Sequence, residues 1–173
     1  GRNGGQAIAG LACDHSVVES QLGRADARRV WDMTMEALRL IGQRRERFGI
    51  ECDWRSGYLG LAVNERKARE LRAWHDQMQR DYGYETRWIA PHEMQHWIAS
   101  PRFHSGIHDP KGGHLHPLKY SMGLAAAAAS LGVRIHEDSG ATAIQPGRVA
   151  KVRTGQGSVS ASHVLLAGNV YLQ

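Results

Sequence analysis

The segment His92-Glu93-Met94-Gln95-His96 has the spacing of a zinc-binding helix. On such a helix two histidines four positions apart hold the metal, while the glutamate acts as general base. Here Pro91 places His92 in the first turn of a short helix. Ala99 and Arg102 stand where an extended zinc pattern has glycine and histidine. The segment therefore favours a surface helix with two partly exposed histidines, and a zinc-dependent hydrolase stays as an alternative function.

A glycine-rich string, Gly1-Arg2-Asn3-Gly4-Gly5-Gln6, opens the sequence and is followed by small apolar residues. Glycines let backbone N–H groups approach a ligand closely because they carry no side chain. A helix starting near Gln6 would present its N-terminus, which favours a phosphate group. An ordinary turn accounts for the string equally well when it is taken alone.

A third cluster of chemistry-bearing side chains lies between Phe103 and His116. It contains His104, His108, Asp109, His114 and His116. Imidazole and carboxylate groups can hold a transition metal, but these spacings are irregular. The prolines and glycines of the segment favour a loop or an edge strand, with histidines that serve the structure or a substrate pocket.

The fourth candidate binding segment is an apolar stretch that ends at Ala167-Gly168. Val164-Leu165-Leu166 followed by two small residues is typical of a buried parallel strand whose carboxyl end meets a ligand. A plain core strand with a turn explains this stretch as well.

Amphipathic helices must position these segments. Asp26 is expected to cap a helix that ends at Gly49, and Asn64 to cap another that ends at Gly83. The expected inner faces are Val30, Met33, Ala37, Leu40, Ile41 and Phe48 in the first helix, and Ala68, Leu71, His75, Met78 and Tyr82 in the second. A further helix begins at Pro117 and ends at Gly132.

Strands are expected between the helices and after them. Residues 52–63 predict a bent strand pair, residues 85–89 a short strand, and residues 133–136 another. Gly155-Gln156-Gly157 predicts a hairpin turn between two strands, 148–154 and 159–166. Helices interspersed with strands predict a mixed α/β (α+β) fold.

Composition limits the classes of function. The 173 residues include 22 Lys and Arg and 17 Asp and Glu, which gives a net charge of +5. The arginines alternate with acidic residues along the helices, which indicates solvated faces rather than nucleic-acid binding, although a non-catalytic binding module stays as an alternative. No apolar run reaches the roughly 18 residues of a membrane helix. Two cysteines without metal spacing favour a reducing compartment, and we expect a cytoplasmic location.

Four strings stand in a particular order along the chain: Gly1-Arg2-Asn3-Gly4-Gly5-Gln6, Cys52-Asp53-Trp54-Arg55-Ser56-Gly57, Gly112-Gly113-His114-Leu115-His116-Pro117-Leu118, and Val164-Leu165-Leu166-Ala167-Gly168-Asn169-Val170-Tyr171-Leu172. In this order they resemble the FAD-dependent amine and amino-acid oxidases of the D-amino-acid oxidase superfamily. The resemblance covers nearly the whole chain. It implies a partial Rossmann-like FAD-binding domain together with part of a sheet-and-helix substrate domain.

The resemblance also implies site residues. Cofactor-binding positions are Arg2, Asn3, Gly4, Gly5, Gln6, Ala141, Ala167 and Gly168, and substrate-pocket candidates are His114 and His116. Residues 1–50 would form the FAD-binding loop and the following helices, residues 51–116 part of the substrate domain, and residues 117–173 a return to the FAD-binding domain. No metal site and no catalytic residue is assigned.

The implied reaction oxidises a small amine or amino acid to an imine, with hydride transfer to FAD and reduction of O2 to H2O2. In this family a GxGxxG turn and first strand would precede Gly1, and further elements would follow Gln173. We therefore expect an internal fragment that is inactive alone and binds FAD weakly or not at all. Copies are expected to associate through uncovered sheet edges.

Overall fold

The computed structural model describes residues 3–169. The chain divides into two compact units, Gly1–Leu131 and Gly132–Gln173. The first unit contains, in chain order, β1 (Gln6–Ala7), α1 (His15–Leu22), α2 (Arg24–Phe48), β2 (Arg55–Ala62), α3 (Glu65–Tyr82), β3 (Arg87–Ile89), a 3₁₀ helix (Pro91–His96), β4 (Ser105–His114) and α4 (Pro117–Ser130). The second unit contains β5 (Ala141–Gln145), β6 (Ala150–Thr154) and β7 (Ser158–Ala161).

The strand β4 is the centre of the sheet in the first unit. It pairs antiparallel with β2 along one side, and with β1 and β3 at opposite ends of the other side. The expected loop or edge strand in this region is therefore wrong. Glycine weakens most strands, but here close packing requires it. A Cβ at Gly106 would lie 2.9 Å from the Gly60 oxygen, and one at Gly113 would lie 2.5 Å from the Arg55 oxygen.

The expected strand pair in residues 52–63 is a single strand, β2. Its register shifts between Ser56 and Tyr58, where Gly57 has a φ of +97°. Gly57 alone lies opposite residues 110–112, so the extra residues belong to β4, and the positive φ of Gly57 allows this bulge without a turn in β2. Gly60 stays within the strand because a Cβ there would lie 2.9 Å from the Ile107 side chain on β4.

Helix α3 forms as predicted. The Asn64 side chain accepts a 3.0 Å hydrogen bond from the Lys67 N–H, and Gly83 ends the helix with a φ of +61°. Its buried residues are Ala68, His75, Met78 and Tyr82, with Leu71 half-buried. Strong start and stop signals and a regular apolar stripe explain this success.

Helix α2 differs from the expectation at its start and on its inner face. It begins at Arg24, so Asp26 lies in the first turn rather than at the cap, while Gly49 ends it as predicted. The fully buried residues are Ala27 and Trp31, whereas Met33 is 68% exposed. The buried face of α2 differs from the predicted one because Trp31, the largest apolar side chain of the helix, is packed into the core.

Trp31 belongs to the main core cluster of the first unit. The cluster contains Trp31, Met78, Tyr82 and Tyr84, and a second cluster contains Ile50, Cys52 and Leu115. The sequence gives no sign of α1, whose eight residues lack a side-chain cap hydrogen bond. His15 of α1 packs edge-on against Trp31 and Tyr82, with ring centroids 5.5 and 4.5 Å apart, so packing rather than local signals fixes this helix.

The second unit is a three-stranded antiparallel sheet in the order β5-β6-β7. Its predicted hairpin is confirmed, since the Thr154 N–H donates to the Gly157 carbonyl at 2.8 Å. Residues 133–136 and 162–169 are not strands, and Leu165 is 89% exposed. The strand expected before Ala167 has no parallel neighbour among the described residues, and a lone strand cannot satisfy its backbone groups. Within residues 3–169 none of the helices is long and apolar enough to cross a membrane.

Candidate functional site

The glycine-rich string docks at the end of β4. The Gly5 carbonyl accepts a 2.9 Å hydrogen bond from the Leu115 N–H, and Gln6 pairs with His114. Ala7 pairs with Gly113 on the same ladder. The helix expected near Gln6 is therefore a short strand, because the edge of β4 supplies hydrogen-bond partners to this segment.

Two neighbouring glycines of this string have opposite surroundings. Gly5 is buried with a φ of +74°, and a Cβ there would lie 2.0 Å from the Leu115 carbonyl oxygen. Gly4 is exposed, and a Cβ there would meet nothing within 4 Å. The Asn3 side chain closes the turn by accepting a 2.7 Å hydrogen bond from the Gly5 N–H. The turn thus holds a bare, accessible backbone at Gly4, which fits the close approach of a cofactor such as FAD.

The start of β2 meets β4 at the same place from the other side. Arg55 pairs with His114, and the Cys52 carbonyl accepts a 2.8 Å hydrogen bond from the His116 N–H. Both histidines have exposed side chains. The His116 ring accepts from the Lys119 N–H at 3.4 Å, and so caps the N-terminus of α4. The substrate-pocket candidates therefore lie beside the glycine turn.

An ion pair lies at this junction. Lys119 Nζ is 2.7 and 2.9 Å from the two carboxylate oxygens of Asp53. The hydrogen bond from Lys119 lowers the pKa of Asp53, with smaller contributions from the charges of Lys119, His116 and Arg55. The sequence gives no signal for this pair, because its members belong to different elements.

The segment His92–His96 does not have the α-helical geometry on which the alternative zinc site depends. It is a 3₁₀ helix, in which residues three apart share a face, so His92 and His96 project in different directions. Glu93 accepts from the Ala90 N–H at 3.0 Å and pairs with Arg87 at 3.2 Å. The Ala90 bond is the main cause that lowers the pKa of Glu93. Residues 3–169 hold no group of three side chains able to bind a metal ion.

Asp109 has a structural role that its sequence context does not reveal. It is buried, and it accepts hydrogen bonds from the Tyr84 hydroxyl at 2.5 Å and from the N–H groups of Lys111 and Gly112 at 2.9 and 3.3 Å. Burial, and then the bond to Asp109, raises the pKa of Tyr84. The nearby His108 packs against Trp97, with ring centroids 5.0 Å apart.

The remaining expected cofactor positions are Arg2 and three residues of the second unit. Ala141 is exposed at the start of β5, and Ala167 and Gly168 lie in a segment without regular secondary structure. Arg2 lies outside the described residues. Within the first unit, the structure brings together Asn3, Gly4, Gly5, Gln6, His114 and His116.

Sequence comparison places this chain in a known family. Residues 1–173 match the DAO family, described as FAD dependent oxidoreductase. The chain is 35% identical over 175 residues to a probable oxidoreductase OrdL of Haemophilus influenzae, covering 99% of this chain and 40% of that protein. It is also 35% identical over 172 residues to the gamma-glutamylputrescine oxidoreductase of Escherichia coli, again covering 99% of this chain and 40% of the relative. The chain thus spans about two fifths of these relatives.

Solved structures show the same fold. An L-amino acid deaminase from Proteus myxofaciens matches with a TM-score of 0.76 and 19% identity, over 99% of this chain and 37% of that one. A glycine oxidase from Geobacillus kaustophilus matches with a TM-score of 0.69 and 23% identity, over 95% and 43%. The predicted mixed fold is confirmed, and the chain belongs to the DAO family of FAD-dependent oxidoreductases.

Proposed function

We propose that this chain supplies the cofactor turn and part of the substrate domain of a flavin-dependent amine or amino-acid oxidase. The supporting observation is the turn at Asn3–Gly5, which is fixed through Gly5 and open at Gly4, in a chain of the DAO family. FAD, when bound, would supply the redox chemistry: the substrate would lose a hydride from the carbon beside the amine nitrogen and a proton from that nitrogen, and O2 would take up the two electrons and two protons, giving an imine and H2O2.

The chain's own residues would bind and orient. Asn3 to Gln6 would lie along the pyrophosphate and the ring system, with Arg2 beside them. Ala141 would offer backbone contacts to adenine, and Ala167 and Gly168 to the pyrophosphate and ribose. His114 and His116 would lie on the substrate side of the turn. In this proposal residues 1–50 and 117–173 belong to the FAD-binding domain, and residues 51–116 to the substrate domain.

Gamma-glutamylputrescine is the substrate that we propose first, which would give the protein a role in putrescine breakdown. The support is the 35% identity with the gamma-glutamylputrescine oxidoreductase of Escherichia coli. Small amino acids are the competing substrates. The free thiols of Cys13 and Cys52 are consistent with the cytoplasm as its compartment.

The test is a substrate panel on the polypeptide that carries this sequence, loaded with FAD. H2O2 release is measured with gamma-glutamylputrescine, putrescine, glycine, sarcosine and L-amino acids at equal concentration. We expect the highest kcat/KM with gamma-glutamylputrescine. A preference for glycine or an L-amino acid would overturn the substrate, and a flavin-loaded protein that oxidises none of them would overturn the proposed reaction. The isolated 173-residue chain is expected to bind FAD weakly or not at all.

A further inference from the structure

The ion pair between Asp53 and Lys119 joins parts of the chain that are far apart in sequence. Asp53 precedes β2, and Lys119 lies in the first turn of α4. Lys119 Nζ contacts both carboxylate oxygens, at 2.7 and 2.9 Å. Asp53 has a φ of +53°, a backbone conformation that aspartate and asparagine tolerate better than most residues. The side chains are 57% and 50% exposed, so their geometry does not arise from burial.

This pair is the outermost of three successive links across the end of β4. The residue before Asp53 is Cys52, whose carbonyl accepts the 2.8 Å bond from the His116 N–H. The residue before His116 is Leu115, whose N–H donates the 2.9 Å bond to the Gly5 carbonyl. The links therefore run from the ion pair, through one short backbone segment, to the glycine turn.

The same segment has little freedom to relax. A Cβ at Gly5 would lie 2.0 Å from the Leu115 oxygen, so the backbone at residue 115 defines the space around the turn. A shift of residues 115–119 would change that space directly. Lys119, His116 and Arg55 all lower the pKa of the Asp53 carboxyl. These neighbours therefore favour the ionised carboxylate that pairs with Lys119.

We propose that Asp53 and Lys119 are positioning residues, which hold residues 115–119 so that the turn at Gly5 keeps the conformation that faces the cofactor. They act on the turn through the backbone of residues 115 and 116, which bonds to Gly5 and Cys52. The effect on the turn stands on the geometry alone, whereas its consequence for FAD rests on the proposed function.

The first experiment measures hydrogen exchange at the Leu115 and His116 amides in the purified protein. Lys119→Met and Asp53→Asn remove the ion pair and keep much of each side chain's shape. We expect exchange about two- to fivefold faster, the range for one exposed ion pair. Lys119→Arg retains the charge and should restore the slow exchange.

A matched control is Lys67→Met, which removes the ion pair with Glu70 within α3 and involves side chains of equal exposure, 49% each. It should leave exchange at residues 115 and 116 unchanged. Unchanged exchange in both Lys119→Met and Asp53→Asn would overturn the proposal, as would equal effects of the methionine and arginine variants at position 119.

The second experiment places the same substitutions in the polypeptide that carries this sequence, titrates it with FAD and follows flavin fluorescence. We expect Kd to rise by a similar factor in Lys119→Met and Asp53→Asn, and not in Lys119→Arg or Lys67→Met. Faster exchange with an unchanged Kd would overturn the link to the cofactor. If that polypeptide binds no FAD even without a substitution, the proposed function fails, and the exchange experiment alone decides the positioning role.

Discussion

The hydroxyl of Tyr84 donates a 2.5 Å hydrogen bond to the carboxylate of Asp109 inside the first unit. Tyr84 is 2% exposed and Asp109 5% exposed, so water does not replace this bond when it is lost. The same carboxylate accepts two N–H groups of its own bulged strand. The bond thus ties the segment that follows α3 to the irregular centre of β4.

Replacement of Tyr84 by phenylalanine should destabilise the protein by about 1–3 kcal/mol, because a buried carboxylate oxygen loses its donor. The free energy of unfolding in urea measures the loss. Tyr120→Phe is the control, since Tyr120 is half-buried against the second core cluster, away from Asp109. Equal stability of the two variants would contradict the prediction.

Substitution of Gly5 by alanine should disrupt the turn, because the new Cβ would lie 2.0 Å from the Leu115 oxygen and φ is +74°. Strain of this kind costs about 1–3 kcal/mol. Hydrogen exchange at Leu115 should accelerate strongly. Gly4→Ala, whose Cβ meets no atom within 4 Å, should leave that exchange unchanged.

A larger side chain at Gly4 tests the cofactor position. Gly4→Leu should preserve the thermal midpoint, because the position is open, and should weaken FAD binding by at least about tenfold, since the side chain would occupy the space above the backbone. Gly42→Leu is the control, because Gly42 lies on α2 with equal open space. FAD bound to Gly4→Leu with unchanged affinity would rule out the turn as its site.

His75 should make stability depend on pH. Its ring is 6% exposed and contacts the Thr86 hydroxyl at 2.6 Å. Burial, and then the charge of Arg72, lowers its pKa below 6.5, while Asp76 at 4.0 Å acts in the opposite direction. Below pH 6.5 the unfolded chain binds the proton more readily, so the free energy of unfolding should fall from pH 7.5 to pH 5.5. His75→Gln should flatten this slope, and an identical slope in the variant would show that His75 is not its cause.

Local signals predicted the elements whose causes are local. Helix α3 has a side-chain cap at Asn64, a stop at Gly83 and a regular stripe between them, and all three were readable. The strand β4 was missed because its glycines are required by neighbours on β2, far away in sequence.

In the candidate site, too, some features follow from the local sequence and others depend on residues far away in the chain. The composition of the glycine string indicated an approachable backbone, but its conformation depends on His114, with which Gln6 pairs, and on Leu115, which bonds to Gly5. The pairing of Asp53 with Lys119 was equally hidden, since the two residues lie 66 positions apart in the chain. Family resemblance located the string, and only the fold supplied its partners.

The ladder between β1 and β4 joins Gln6 to His114, more than a hundred positions along the chain. Closing so long a loop costs conformational entropy. The hydrogen bonds of only two residue pairs offset little of this cost. Non-local contacts of this kind form late in folding, so β1 should add to β4 after the β2–β4 pair exists. A ladder of only two residue pairs also opens by local fluctuation without global unfolding. The turn that would meet the cofactor is therefore expected to be the last part of the sheet to assemble and the first to detach, so FAD binding and the pairing of β1 with β4 would be thermodynamically coupled.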